Sequence, residues 1–183
     1  MCWVYKFNLP DYTMGYWPVV KRVVKDSDVI LLVLDVRMPE LSRNKTLERM
    51  VALHNKVLMA VFTKIDLVSE KYLNSMKNKY KDVIFVSGVK NIGISKLKSV
   101  LHIRSKKFGF KDPRIGVVGY PNVGKSAIIN ALAKKNSARV SKKAGTTRGI
   151  QWIKAGGLFI LDSPGVVPFE DNEVKLGVLG SKN

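Results

Sequence analysis

Residues Gly119-Tyr120-Pro121-Asn122-Val123-Gly124-Lys125-Ser126 have the types and spacing of a loop that wraps phosphates. Glycine at each end lets the backbone curl, so that successive N–H groups point inward. A helix opening at Lys125 adds partial positive charge to the same spot. Lys125 is placed to reach the β- and γ-phosphates of a nucleotide, and the Ser126 hydroxyl to bind Mg2+. Pro121, Asn122, Val123 and Ala127 complete the cradle and the first helical turn behind it. Further on, Asp162-Ser163-Pro164-Gly165 ends the apolar run 158–161. A carboxylate at Asp162 can hold the metal shell, and the Gly165 N–H can sense a γ-phosphate. Between these motifs lies Gly145-Thr146-Thr147-Arg148. A threonine there, Thr147 in preference to Thr146, can close onto Mg2+ when a triphosphate is bound.

A second constellation precedes the first. Thr63-Lys64-Ile65-Asp66 follows an apolar run. The Asp66 carboxylate can accept from the N1–H and the N2 amine of guanine, a donor pair that adenine does not present. Leaving a carboxylate unpaired is costly, so such a residue sets the choice of base. The stem of Lys64 can lie along the ring face. Ser87-Gly88-Val89, after the next apolar run, can offer a backbone N–H to the guanine O6. Each of these is a common turn sequence taken alone; beside a phosphate loop they read as one nucleotide site. Their order is unusual, because the base reader comes before the phosphate cradle.

The elements needed to position these residues are legible as hydrophobic periodicity. Short apolar runs alternate with helix-like stretches, the pattern of a parallel sheet covered by helices. Strands are predicted at 29–35, 57–63, 83–86, 114–119, 150–155 and 158–162, and helices at 15–26, 43–54, 69–79, 94–104 and 125–135. Residues 29–35 are continuously apolar up to Asp35, as in a strand buried on both faces. Gly156-Gly157 joins the last two strands as a hairpin would. A further helix starts near 173. Residues 105–113, with a basic run, Gly109 and Pro113, form the best linker. A two-domain division there is disfavoured, since the second half would bind phosphate without recognising a base.

The chain has 183 residues and 46% hydrophobic content, enough for one domain with a sizeable core. The single cysteine, Cys2, excludes an internal disulfide framework and fits a reducing compartment. His54 and His102 are the only histidines and read as helix residues rather than metal ligands. No apolar stretch is long enough to span a bilayer and the N-terminus lacks the layout of a secretory signal, so a cytoplasmic protein is expected. With 32 basic against 14 acidic residues the formal charge is +18. Lysine enrichment for heat tolerance normally raises glutamate as well. A polyanionic partner, RNA ahead of membrane, is the better account.

These motifs resemble those of the TRAFAC-class GTPases, in the order G4-G5-G1-G2-G3. That order is similar to the circularly permuted GTPases of the YlqF/RbgA type, which act in ribosome assembly. Asp35-Val36-Arg37-Met38-Pro39 resembles the family's Asp-Ala-Arg-x-Pro segment, and Ser42-Arg43-Asn44 follows as it does there. Gln151-Trp152 and Phe169-Glu170-Asp171 also look family-like. The resemblance implies an α/β, Ras-like P-loop fold with a six-stranded, mostly parallel sheet and helices on both faces. It implies GTP and GDP binding, hydrolysis with Mg2+, and rRNA or a precursor of the large ribosomal subunit as partner. Residues 1–183 would form one permuted G domain, with 1–27 an N-terminal extension and helix and 105–113 the permutation linker. Asn122 matches the asparagine that accompanies potassium activation in related GTPases, which makes K+ a second ion.

There are departures from the pattern. Thr63 replaces the asparagine of Asn-Lys-x-Asp, keeping one polar contact and losing the amide. Val166 stands where Ras-type enzymes place a water-orienting glutamine, as is normal for this family. Where the family carries a histidine in Pro-Gly-His-Met, this chain has Met14-Gly15-Tyr16-Trp17. Tyr16, with an ordinary pKa of about 10, cannot serve as a base at neutral pH, so slow intrinsic hydrolysis is expected. The chain stops at Asn183, about where the family's helical RNA-binding domain would begin, so that domain is expected to be absent from it. Three readings follow: a GTPase switch for ribosome assembly, a non-catalytic RNA-binding protein that holds GTP or GDP, and an ATP-using P-loop enzyme for which Asp66 is irrelevant. In the first, GTP orders the 137–149 and 163–172 loops. Lys134, Lys135, Arg139, Lys142, Lys143 and Arg148 then couple nucleotide state to RNA contact.

Overall fold

A computed structural model describes residues 17–134 and 152–163, the side chains of Lys134 and Asp162 excepted. In chain order the elements are α1 (Trp17–Asp26), β1 (Val29–Asp35), α2 (Lys45–Leu53), β2 (Val57–Thr63), a 3-10 turn (Ile65–Leu67) and α3 (Glu70–Lys79). There follow β3 (Ile84–Phe85), α4 (Ile94–Lys107), β4 (Arg114–Val118), α5 (Lys125–Lys134), β5 (Trp152–Lys154) and β6 (Phe159–Asp162). The strands form one six-stranded sheet in the order β3-β2-β1-β4-β6-β5. All neighbours are parallel except β5, which pairs antiparallel with β6.

β1 lies at the centre of the sheet and every one of its residues is buried. Its alternate side chains feed two cores, as a two-residue period requires. Val29, Leu31 and Val33 join Ile94, Leu97 and Leu101 of α4 and Ile128, Ile129 and Leu132 of α5. Ile30, Leu32 and Leu34 join Val20, Val23 and Val24 of α1, Leu47 and Met50 of α2, and Met76 of α3. Each fully buried Leu or Ile contributes about 1.5–3 kcal/mol relative to exposure. These two layers hold the C-terminal ends of β1, β2 and β4 in one row.

Local signals set the element ends. The Asn44 side chain accepts from the Leu47 N–H at 2.9 Å and opens α2, and the Ser69 hydroxyl accepts from the Tyr72 N–H at 3.3 Å to open α3. His54 caps the end of α2 instead of continuing it, with its Nδ1 2.9 Å from the Met50 carbonyl. α4 runs on through Lys107, so the first residues of the expected 105–113 linker are helical. The stop is Gly109, at φ +80°, with the Phe110 N–H reaching back to the Ser105 carbonyl at 3.0 Å. The basic run in the last turn of α4 sits where the helix dipole favours positive charge, so it continued the helix. β3 is shorter than expected, and the predicted helix near 173 lies outside the described residues.

Candidate nucleotide site

β4 delivers the chain to Gly119 at the sheet's C-terminal edge. Gly119 adopts φ +152°, and a Cβ there would stand 2.6 Å from the Val33 carbonyl oxygen of β1, so only glycine fits. Asn122 takes the left-handed conformation at φ +58° and Gly124 lies at φ +102°, which curls the loop back toward α5. Tyr120 and Val123 point inward and are buried, while Ser126 is exposed at the helix start. Lys125 is also buried. Its Nζ donates to the carbonyls of Tyr120 at 2.7 Å and Gly119 at 3.2 Å, which places the ammonium inside its own loop. A phosphate reaching this loop would offer charge-assisted bonds stronger than those to neutral carbonyls.

The earlier motif lies directly against this cradle. Thr63 is 2% exposed, and its hydroxyl stands 3.1 Å from the Leu34 carbonyl and 2.5 Å from the Val123 carbonyl. Its polar contact is therefore with the phosphate loop itself. Lys64 follows in the left-handed region at φ +59°, so the chain turns sharply and Asp66 is exposed on the 3-10 turn. The Val86 N–H donates to the Phe62 carbonyl at 2.8 Å, which carries Ser87-Gly88-Val89 to the same edge. The Ser87 hydroxyl is buried and accepts from the Lys90 N–H at 3.0 Å. A Cβ on Gly88 would meet Ala127 at 2.7 Å, so that loop packs flat on the first turn of α5. Val89 is 79% exposed beyond it.

Two features appear in the sequence only as motif residues, without the role that the structure gives them. Asp35, at the end of β1, is a buried carboxylate that takes the Arg37 guanidinium at 3.0 and 2.7 Å and the Lys64 ammonium at 3.0 Å. Burial pushes its pKa up, but the Arg37 and Lys64 bonds outweigh this and hold the carboxyl below its ordinary value. The same contact raises the pKa of Arg37. Asp35 thus fixes Lys64 at the start of the turn after β2. The signal was available: an acid ending a continuously apolar strand needs a cation. The second feature is Ser163, buried just after β6, whose hydroxyl donates to the Val117 carbonyl at 2.8 Å. It pins the exit of β6 beside the strand that feeds the cradle.

Asp162 pairs in register with Val117, which brings its backbone next to β4 just before Gly119. Thr146, Thr147, Gly165, Val166 and Tyr16 lie outside the described residues, as does the basic loop 137–149. Among the described residues no group of three or more His, Cys, Asp or Glu is placed to hold a metal, and no helix is long and apolar enough to cross a membrane.

Residues 114–182 match the family described as 50S ribosome-binding GTPase. The chain is 39% identical over 157 residues to an uncharacterized GTP-binding protein of Methanocaldococcus jannaschii, spanning 85% of this chain and 42% of that protein. It is 33% identical to ribosome biogenesis GTPase A of Priestia megaterium, covering 88% of this chain and 62% of the relative. The chain therefore spans less than two thirds of these curated relatives. Among solved structures, a GDP-bound YlqF superposes with a TM-score of 0.58 at 26% identity, over 89% of this chain and 66% of that one. YjeQ of Thermotoga maritima shares the fold, with a TM-score of 0.56 at 23% identity over 81% of this chain and 51% of that one. With its Thr63–Asp66 turn ahead of its Gly119–Ser126 loop on a six-stranded sheet, the chain is similar to the GTPases of the YlqF type.

Proposed function

We propose that this chain binds GTP and GDP in the cleft between Asp66 and the Gly119–Ser126 loop, hydrolyses GTP slowly, and acts as a switch in assembly of the large ribosomal subunit through contact with rRNA. The observation that supports this reading is the meeting of Thr63 with the Val123 carbonyl, reinforced by Gly88 on Ala127: the two halves of the motif set lie against each other. Asp66, at its rim, selects guanine. The stem of Lys64, fixed by Asp35, lies along the ring. The backbone N–H groups of Gly88 and Val89 approach the guanine O6.

The loop between Gly119 and Gly124 receives the β- and γ-phosphates, and Lys125 exchanges its two carbonyl partners for phosphate oxygens. The cradle fits such a group, because a Cβ at Gly119 would strike the Val33 carbonyl and narrow it. Ser126, Asp162 and Thr147 would hold Mg2+, which supplies charge neutralisation between the β- and γ-phosphates. Asn122 is the residue that would bring K+ to the loop. Gly165 reports the γ-phosphate, and Tyr16 in place of a histidine keeps turnover slow without a partner.

Support for the ribosomal role comes from the +18 charge and from relatives named for ribosome biogenesis. A soluble, cytoplasmic working place accompanies this role. The test is fluorescence titration with guanine, adenine and xanthine nucleotides, then single-turnover hydrolysis with and without large ribosomal subunits. Guanine binding in preference to adenine is expected, with a shift toward xanthine nucleotide in Asp66→Asn and faster cleavage with subunits. Unchanged base choice in Asp66→Asn refutes the assignment of the site. Equal rates with and without subunits favour the non-catalytic holder of GTP or GDP, a reading that Tyr16 keeps open.

A further inference from the structure

We infer that the end of the molecule opposite the nucleotide cleft carries an RNA-binding surface built on the last turn of α4, where Phe108 stacks on an unpaired base between lysines that hold the backbone. This rests on the proposed rRNA contact and deepens it, by naming the surface and the form of RNA.

The placement follows from topology. α1 to α4 each lead directly into the start of a strand, and α5 runs back from the phosphate loop, so all five helices end at the sheet's N-terminal edge. The β5–β6 turn lies there too, since β5 runs antiparallel to β6. At this edge Arg104, Lys106, Lys107 and Lys111 are exposed around the end of α4. Arg114 and Lys154 lie over the rings of Trp152 and Phe159 on the other face of the sheet and belong to a separate surface. His102 of α4 lies 3.4 Å from the Cβ position of Gly157, which sets the helix against the β5–β6 turn. None of the four cations around the end of α4 forms an ion pair among the described residues.

The bland account is that lysines gather at helix C-termini to answer the dipole. It covers Arg104, Lys106 and Lys107. It does not cover Lys111, which belongs to no helix. Nor does it account for two large apolar side chains left in water on α4 and at its C-cap: Ile103 is 66% exposed and Phe108 55% exposed. Phe108 is held in place, since its backbone N–H bonds to the carbonyls of Arg104 at 3.3 Å and Ser105 at 3.2 Å. An exposed ring on a fixed backbone, flanked by cations, is what an unstacked base and its phosphates require. An anionic membrane would use the charge, but its acyl boundary calls for an apolar face of helix, and the apolar residues of α4 at 94, 97 and 101 are buried in the core.

The test uses the whole chain with a 12-nucleotide single-stranded RNA, a 12-base-pair RNA duplex and isolated large ribosomal subunits, over a range of salt. Phe108→Ala is expected to weaken binding to the single strand about 5- to 150-fold and to change duplex binding little. Lys106→Gln with Lys107→Gln is expected to flatten the slope of log K against log salt by about 1.4, at roughly 0.7 for each phosphate no longer neutralised. GDP binding in each variant shows that it has folded. If the wild type binds RNA and both variants bind alike, the surface is misassigned while the rRNA reading stands. A loss confined to Lys142→Gln with Lys143→Gln would move the contact to the 137–149 loop. If the wild type, competent for GDP, binds neither RNA nor subunits, both readings fail. Capture by phosphatidylserine vesicles in preference to RNA, abolished in Phe108→Ala, would reassign the surface to a membrane.

Discussion

Replacing Thr63 by valine tests whether the base-reading strand braces the phosphate loop. Valine keeps the branched shape and removes only the hydroxyl. That hydroxyl has one proton for two acceptors, the carbonyls of Leu34 and Val123, so one hydrogen bond is lost and one buried carbonyl is left poorly served. An unsatisfied buried acceptor costs about 1–3 kcal/mol. For a chain of this size that lowers Tm by roughly 2–12 °C. Val123 sits in the middle of the cradle, and a Cβ at Gly124 would lie only 3.5 Å from the Thr63 hydroxyl, so the slack appears where phosphate binds. If the whole penalty is expressed in the cradle, the Kd for GDP rises about 5- to 150-fold. Thr63→Ser retains the hydroxyl and should stay close to wild type in affinity. Scanning calorimetry and nucleotide titration on the three proteins read both quantities. A valine variant that melts early yet binds GDP as tightly as wild type would show that Thr63 only packs, and would refute the bracing.

Gly88→Ala forces a methyl to within 2.7–2.9 Å of Ala127, a clash costing about 1–3 kcal/mol, and should weaken guanine nucleotide binding in the same titration. Gly109→Ala, where a Cβ meets nothing, should cost only the strain of its positive φ and leave nucleotide affinity alone. Asp35 has a folded-state pKa below its ordinary 3.8, so its stabilisation is present at neutral pH and is lost as pH falls from about 4 through the depressed value. Asp35→Asn should cost about 1–3 kcal/mol at pH 7, less than a fully buried pair because Arg37 and Lys64 are 39% and 24% exposed. In denaturant melts the gap from wild type should narrow toward pH 3; an equal gap at both pH values would refute the role of the carboxylate.

Where the sequence was legible, a single physical rule governed each position. Residues 29–35 could only be a strand buried on both faces, because seven apolar-to-acid residues in a row have no polar side to show to water. Gly119 could be placed because close backbone approach admits no Cβ. The end of α4 was misjudged because two rules competed: a basic run suggested a linker, while the helix dipole carried the helix through it to the stop at Gly109. The 3-10 turn under Asp66 gave no periodic signal, being a single turn set by the left-handed Lys64.

The substitution at Thr63 illustrates what pattern alone conceals. Compared with a family motif, threonine in place of asparagine reads as a weakened base contact. In the fold, the side chain faces the strand and the loop, and its hydroxyl meets carbonyls of Leu34 and Val123 across 29 and 60 residues of chain. A position read as touching the nucleotide thus also serves as a tie between the end of β2 and the Gly119–Ser126 loop. Asp35 does the same from the other side, anchoring Lys64 through a carboxylate that lies outside both motifs. Permutation changes the order in which these segments leave β1, β2 and β4, but each tie depends only on which strand ends are neighbours. Because β1 stands between β2 and β4 in the sheet, the ties form whichever half of the chain comes first. The sheet order, rather than the chain order, is what the chemistry requires.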